Sequence, residues 1–189
     1  MDAVVRPKRW SRTEYDRMID AGVFQPGDHV ELIEGEILAV TPQKSPHATA
    51  VQLAGEALRQ AVLGMTACVR EEKPLAVDAE SEPEPDIAVV SGSPRDYRAD
   101  HPTHAWLIVE VAESSLTYDR RTKGPLYARA GIAEYWIVNL PDGRLEVYRD
   151  PLQTQTGWDY RVVQILMPTD VIHPLAMPDA TIPVADLLP

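Results

Sequence analysis

The chain has 189 residues, of which 44% are hydrophobic and 25% charged, so it holds enough apolar material for the core of a globular domain. The formal net charge is −11, which excludes a broad basic surface for nucleic acid and requires that any phosphate ligand be met locally. No apolar run approaches the ~20 residues that cross a bilayer, so we expect no membrane span and no membrane partner.

Three further expectations concern the organisation and location of the chain. We expect a single domain over residues 1–189, with a flexible N-terminus over residues 1–9. No apolar segment follows the basic residues near the N-terminus, so we expect no secretory signal. The single cysteine, Cys68, excludes an internal disulfide and fits a reducing cytoplasm.

Local signals predict the elements of the first third of the chain. A capping box begins a short helix, a Glu-Gly pair hinges a hairpin, and a Ser-Pro pair begins a longer helix. In order, the predicted elements are a helix from the cap Ser11 to about Gly22, a hairpin over Val30–Val40 that turns at Glu34-Gly35, and a helix from the cap Ser45 to Gly64.

The rest of the chain alternates extended runs with one helix. The run Ala105–Ala112 is nearly all apolar, which is typical of a central strand covered on both faces. The other predicted elements are strands at Thr66–Arg70, Leu75–Asp78, Asp86–Val90, Glu134–Asn139 and Leu145–Arg149, a helix from about Arg120 to Ala130, and further C-terminal strands. This pattern predicts an α/β or α+β fold with one mixed sheet flanked by helices.

Three ionisable groups stand where an apolar element makes them expensive to bury. Asp86 begins an apolar run, Glu110 interrupts another, and Lys123 follows on a helix one turn after Asp119. Two carboxylates on neighbouring strands can hold one hard divalent cation, with water and phosphate as the remaining ligands. A lysine beside them can stabilise the charge of a phosphodiester transition state.

Each of these residues also has a purely structural interpretation. Asp86 could cap a turn, and Glu110 could form a salt bridge with Arg120 or Arg121. Lys123 could be a solvated helix lysine or the ion-pair partner of Asp119.

A series of motifs extends over about Trp10 to Tyr148. In chain order these are Glu31–Ile37, His47, Pro85–Val90, Val109–Ser115, Tyr118–Lys123 and Leu126–Val138. Together they closely resemble a bacterial family of endonucleases, the Uma family (Uma-two), which belongs to the PD-(D/E)xK superfamily with a restriction-endonuclease-like fold. The resemblance implies a restriction-endonuclease-like mixed sheet, with extra strands at the C-terminus.

The resemblance also assigns roles to individual positions. It implies that Asp86 and Glu110 bind Mg²⁺ or Mn²⁺, with the Val111 backbone carbonyl as a third ligand and Glu31 as an upstream acidic ligand. His47 matches a histidine common in the family. The superfamily lysine would stand two residues after Glu110, where this chain has Ala112, and Lys123 on the following helix is its replacement.

These assignments favour a metal-dependent endonuclease that hydrolyses nucleic acid, DNA above all. In this hypothesis Asp86 and Glu110 hold the ion, Lys123 is catalytic, and Asp119 orients Lys123. A homodimer could join two basic rims, which the sequence places at Arg120–Arg129 and Arg6–Arg12. The alternative is an inactive relative that serves as a binding module. Hydrolysis of another phosphoester is a third hypothesis.

Aromatic residues that follow the lysine are interpreted as structural. Tyr127, Tyr135 and Trp136 fit a helix face and the next strand, and Gly131 fits a helix end. Ser114 and Ser115 are expected to cap the helix rather than bind phosphate.

Overall fold

The computed structural model describes residues 6–40 and 42–189, which form a mixed α/β structure built on a six-stranded sheet. The helices are α1 (Arg12–Asp20), α2 (Ser45–Ala61), α3 (Leu116–Tyr118) and α4 (Gly124–Arg129). The strands are β1 (Val30–Ile33), β2 (Glu36–Ala39), β3 (Ala67–Glu71), β4 (Ile87–Ser91), β5 (Leu107–Ala112), β6 (Glu134–Asn139), β7 (Arg144–Thr154), β8 (Gly157–Leu166), β9 (Val171–Ile172) and β10 (Ile182–Pro183). The predicted mixed α/β class is confirmed.

The main sheet has the strand order β3-β4-β5-β6-β7-β8, and only β5 and β6 run parallel. Every residue of β5 and β6 is buried, because α2 and the C-terminal segment cover one face and α4 covers the other. This double cover explains why the two strands are almost continuously apolar. It also means that a charged side chain on β5, such as Glu110, needs a partner.

The first local predictions hold with small shifts. Ser11 and Glu14 form the predicted capping box of α1. Glu34 and Gly35 both have positive φ angles, 49° and 76°, which is the backbone of a type I′ hairpin between β1 and β2. The N-cap of α2 is Lys44 rather than the predicted Ser45, so Ser45 and Pro46 lie inside the first turn.

The helix predicted from about Arg120 starts earlier and is not uniform. It begins at Leu116, and Asp119–Lys123 form a π-helical turn between α3 and α4. The Gly124 N–H donates to the Asp119 carbonyl, an i→i+5 bond. Because Pro125 has no N–H, the regular bond from residue 125 cannot form. The wider turn sets the direction of Lys123.

One predicted strand is wrong. The segment Leu75–Asp78 is irregular, and its amides bond to loops: Leu75 donates to the Pro83 carbonyl and Ala76 to the Pro102 carbonyl, both at 2.9 Å. Prolines nearby remove the donors that a strand ladder needs.

Two remaining observations concern the ends of the chain and its helices. Of the predicted flexible N-terminus, residues 1–5 lie outside the described residues, whereas Lys8 and Arg9 form ion pairs with Glu14 and Glu36. Within residues 6–40 and 42–189, no helix combines the length and apolarity needed to cross a membrane.

Candidate active site

Four charged side chains from four separate elements converge beside β5. Glu31 lies on β1, Asp86 immediately precedes β4, Glu110 lies in β5, and Lys123 ends the π-helical turn. We refer to these four residues as the lysine–carboxylate cluster. Glu31, Glu110 and Lys123 are buried, and Asp86 keeps 13% of its side chain exposed. The cluster therefore opens to solvent on the Asp86 side.

The register of β4 and β5 brings the two central carboxylates together. Ile87 is opposite Val109, so the antiparallel pairing places Asp86 beside Glu110. The Asp86 N–H lies 3.4 Å from Glu110 Oε2, and the Val111 N–H donates to Asp86 Oδ2 at 2.6 Å. Asp86 therefore does not cap a turn. Its carboxylate is held against the neighbouring strand.

Lys123 faces two of the carboxylates. Its Nζ lies 3.0 Å from Glu110 Oε1 and 3.4 Å from Glu31. Burial lowers the pKa of Lys123, but the charges of Glu110 and Glu31 outweigh burial and raise this pKa well above its usual range. The ammonium therefore stays charged. The interpretation of Lys123 as a solvated helix lysine is wrong.

Burial disfavours the charged form of the Glu110 carboxyl more strongly than its neighbours stabilise that form. Burial raises the pKa of its carboxyl to about 8, although the charge of Lys123 opposes that rise. Neither arginine proposed as its structural partner contacts it: Arg120 pairs with Glu146, and Lys123 is the cation beside Glu110. Lys123 alone therefore does not offset the effect of burial on the Glu110 carboxyl.

Tyr127 is a site residue that the sequence interpretation assigned only to packing. Its hydroxyl donates to Glu110 Oε1 at 2.7 Å, and the side chain is fully buried. Tyr127 stands four residues after Lys123, so both side chains lie on one face of the helical segment. That spacing was the signal available in the sequence, and it also fits the packed helix face that we predicted there.

His47 contacts the exposed side of the cluster. Its Nε2 lies 3.0 Å from Asp86 Oδ1, and α2 supplies this residue from its first turn. Burial lowers the pKa of His47, but the hydrogen bond and charge of Asp86 raise it above the ordinary value. The structure thus places His47 against Asp86, and its supporting role stays a prediction.

Asp119 lies close to the cluster but has a different partner. Its Oδ2 accepts a hydrogen bond from the Ser115 hydroxyl at 2.5 Å, and its backbone carbonyl accepts one from Tyr135 at 3.3 Å. Burial raises the pKa of Asp119 to about 6. Lys123 turns toward Glu110 and Glu31 instead, so the structure does not give Asp119 the expected ion pair.

The donor set of the cluster fits a hard divalent cation. The cluster holds three carboxylates and one ammonium, which contacts Glu31 and Glu110, and carboxylate oxygens are the ligands that Mg²⁺ and Mn²⁺ prefer. The Tyr118 hydroxyl, from the same helical segment, is buried without a hydrogen-bond partner among the described residues. A polar atom left unpaired at this point is consistent with a ligand nearby.

The carboxylates are not arranged as a finished metal site. Within the described ranges, no group of three or more His, Cys, Asp or Glu side chains has a metal-holding arrangement. In the structure Lys123 and Tyr127 contact Glu110 Oε1, while the Val111 N–H and His47 contact the Asp86 carboxylate. The Val111 amide, not its carbonyl, makes the observed contact, and a ligand role for the carbonyl stays a prediction.

The basic rims expected from the sequence are largely neutralised. Arg120 pairs with Glu146, and Arg129 pairs with Glu34 and Asp78. At the N-terminal side, the ion pairs are Lys8–Glu14, Arg9–Glu36 and Arg12–Glu82. Most of these cations therefore stabilise the fold and are not free to bind phosphates.

Comparisons with known proteins identify the fold and the family of the chain. One solved structure, described as "a putative nuclease belonging to DUF820" from Anabaena variabilis, superposes with a TM-score of 0.70. It shares 16% sequence identity, and the match covers 94% of this chain and 96% of that chain, which establishes a common fold. No curated protein matches the chain. A family model described as "Putative restriction endonuclease" matches residues 12–185, and the chain therefore belongs to the Uma2 family.

Proposed function

We propose that this protein is a Mg²⁺- or Mn²⁺-dependent nuclease that hydrolyses phosphodiester bonds of nucleic acid, DNA above all. One observation carries the proposal: Asp86 and Glu110 lie side by side on neighbouring strands, with the Lys123 ammonium 3.0 Å from Glu110. Lys123 reaches this place from a helix, which supports the idea that it replaces the lysine missing at Ala112. Family membership and the shared fold support the same reaction class.

The carboxylates divide the work of holding a cation. Asp86 and Glu110 are its proposed ligands, and Glu31 adds a third carboxylate from β1. When bound, the cation supplies an activated water and offsets charge on the phosphate. His47 orients Asp86 through their 3.0 Å contact, and Tyr127 orients Glu110 through its hydroxyl.

Lys123 acts as a permanent positive charge. Because Glu110 and Glu31 keep its ammonium protonated, it cannot take a proton from water at neutral pH. Its role is to orient the attacking water and to stabilise the negative charge that develops on the phosphate. Asp119 and Ser115 fix the turn that carries Lys123.

The direct test is a cleavage assay with supercoiled DNA, single-stranded DNA and RNA, each with Mg²⁺, with Mn²⁺ or with a chelator. We expect metal-dependent cleavage by the wild type and by Glu56→Gln, a matched control on the exposed face of α2. Asp86→Asn should lose cleavage, since it removes a proposed ligand but keeps side-chain size. Cleavage that survives chelation, or that Asp86→Asn retains in full, would contradict the proposal.

A second candidate function is a binding module of the same fold. It is favoured by the internal pairing of Glu110 Oε1 with Lys123 and Tyr127, which leaves no finished metal site among the described residues. This candidate predicts nucleic-acid binding that does not change with added Mn²⁺ and no cleavage of any substrate. The homodimer stays a prediction, which sedimentation of the purified chain would test.

A further inference from the structure

A polar groove lies beside the candidate active site, between α2 and β3. Its volume is about 470 Å³, within the range of ligand sites, and the residues that define it are Gln43, Val51, Gln52, Arg59, Glu71 and Glu72. The Glu72 N–H donates to the Asp86 carbonyl at 3.1 Å, and the groove residue Ala48 directly follows His47. Two groove residues, Glu72 and Ala48, are therefore direct neighbours of Asp86 and His47.

The groove offers hydrogen bonds but little positive charge. Its only cation, Arg59, lies 2.7 Å from Glu71 and is thereby neutralised. Gln52 supplies an amide with both donors and an acceptor, and Glu72 supplies a carboxylate acceptor. Two carboxylates would repel a phosphate, whereas the edge of a nucleobase carries the donors and acceptors that such groups recognise.

Charge around the site argues against a duplex as the bound form. Proteins that hold duplex DNA neutralise its phosphates with Lys and Arg side chains. In this chain, eleven of the eighteen Lys and Arg side chains lie within 4.0 Å of a carboxylate. Glu72 and Glu113 add negative charge near His47, where flanking phosphates would pass.

We infer that the groove between α2 and β3 binds an unpaired nucleobase next to the phosphate that is cleaved. The assignment rests on the proposed nuclease function and specifies its substrate class. A base can enter the groove only if it is free of its complementary strand, so the substrate is single-stranded or locally unpaired. Gln52 and Glu72 then contact the base edge, while the lysine–carboxylate cluster contacts its phosphate.

The test compares Gln52→Leu with Gln60→Leu, the same change on α2 outside the groove. Three substrates are used with Mn²⁺: a single-stranded oligonucleotide, the same sequence as a duplex, and bis(p-nitrophenyl) phosphate, which has no base. We expect the single strand to be cut at least about tenfold faster than the duplex. Gln52→Leu should raise KM for the single strand about 3–10-fold, the worth of one hydrogen bond, and leave bis(p-nitrophenyl) phosphate hydrolysis unchanged.

Fluorescence anisotropy gives a readout that does not depend on cleavage. In a chelating buffer, the labelled single strand should bind the wild type and Gln60→Leu equally, and Gln52→Leu about 3–10-fold more weakly. Equal affinity of the wild type, Gln60→Leu and Gln52→Leu for the single strand would overturn the proposed base subsite, and so would faster cleavage of the duplex. Either result would leave the proposed nuclease function standing. Failure to hydrolyse any of the three substrates would instead overturn the proposed function itself.

Discussion

Two sets of buried carboxylates lie at the main sheet, and they differ in how many cations pair with them. In the lysine–carboxylate cluster, Lys123 is the one cation that forms ion pairs with Glu31 and Glu110 among the described residues. On β6 and β7, by contrast, Glu134 and Glu146 each have an arginine of their own, and we call these the arginine–carboxylate pairs. Each carboxylate of the second set thus has its own cation, whereas those of the first set share one.

The pKa values show the difference. Burial raises the pKa of Glu146 on its own, but hydrogen bonds from Arg120, Asn139 and Tyr148 outweigh burial and lower it to about 2. For Glu110, burial prevails and the pKa rises to about 8. A structural carboxylate thus has its charge stabilised by the fold. For Glu110 the fold alone does not stabilise the charged form, and carboxyls with pKa values raised in this way are concentrated at functional sites.

Neutralising one carboxylate from each set tests whether only the lysine–carboxylate cluster serves catalysis. Glu110→Gln should lower kcat/KM for cleavage at least about 10³-fold, because it removes a proposed metal ligand. Glu146→Gln should stay within about threefold of the wild type, since Glu146 contacts no residue of the cluster. Cleavage rates with Mn²⁺ measure both. A larger loss for Glu146→Gln than for Glu110→Gln would reverse the assignment of the two sets.

The arginine–carboxylate pairs should matter for the free energy of unfolding rather than for cleavage. Glu134 is fully buried and accepts hydrogen bonds from Arg149, Trp136 and the Leu175 amide. Glu134→Gln should lower the free energy of unfolding by about 3 kcal/mol, because Arg149 loses its charged partner. Urea unfolding measures this change, with the exposed substitution Glu56→Gln as the control. Equal stability of the two variants would show that the Glu134–Arg149 pair is not structural.

The lowered pKa of Glu146 predicts a pH dependence of stability. Above the ordinary carboxyl pKa near 4.5 the pair contributes in full, and its contribution is lost as pH falls toward the folded pKa of about 2. Wild type should exceed Glu146→Gln in unfolding free energy by on the order of 2 kcal/mol at pH 7. Thermal and urea unfolding should show this gap narrowing between pH 5 and pH 3. A gap that widens on acidification would contradict the assignment.

The smallest expected effect concerns the orientation of Glu110. Tyr127→Phe removes one hydrogen bond to Glu110 and should weaken Mn²⁺ binding and cleavage about tenfold. Tyr160→Phe is the matched control, since its hydroxyl donates to the Ile132 carbonyl at 3.0 Å and contacts no cluster residue. Calorimetry with Mn²⁺ separates a loss of metal affinity from a loss of stability. Identical Mn²⁺ affinity in the two variants would assign Tyr127 to packing alone.

Local elements were predictable because their signals lie within a few residues. The capping box of α1 and the Glu34-Gly35 turn depend only on neighbouring side chains and φ angles. The strand predicted at Leu75–Asp78 failed because its amides bond to loops distant in sequence, which no local pattern reports.

The candidate site divides along the same line. Asp86 and Glu110 could be singled out because charged groups at or within apolar strands are conspicuous in a sequence, whereas Lys123 was assigned to the site through the family resemblance. The π-helical turn that directs Lys123 was not predicted, since it depends on Pro125 and on the tertiary contact of Tyr135 with the Asp119 carbonyl. The partner of Arg120 was not predicted either, because this residue of the π-helical turn donates to Glu146 on β7, 26 positions later in the chain.

Calorimetric titration with Mn²⁺ tests whether the lysine–carboxylate cluster binds a divalent cation. The wild type and Glu56→Gln should bind Mn²⁺ with Kd in the millimolar range or tighter, and Glu110→Gln should show no heat of binding under the same conditions. Equal binding by the wild type and Glu110→Gln, or no binding by the wild type with or without an oligonucleotide, would contradict the account.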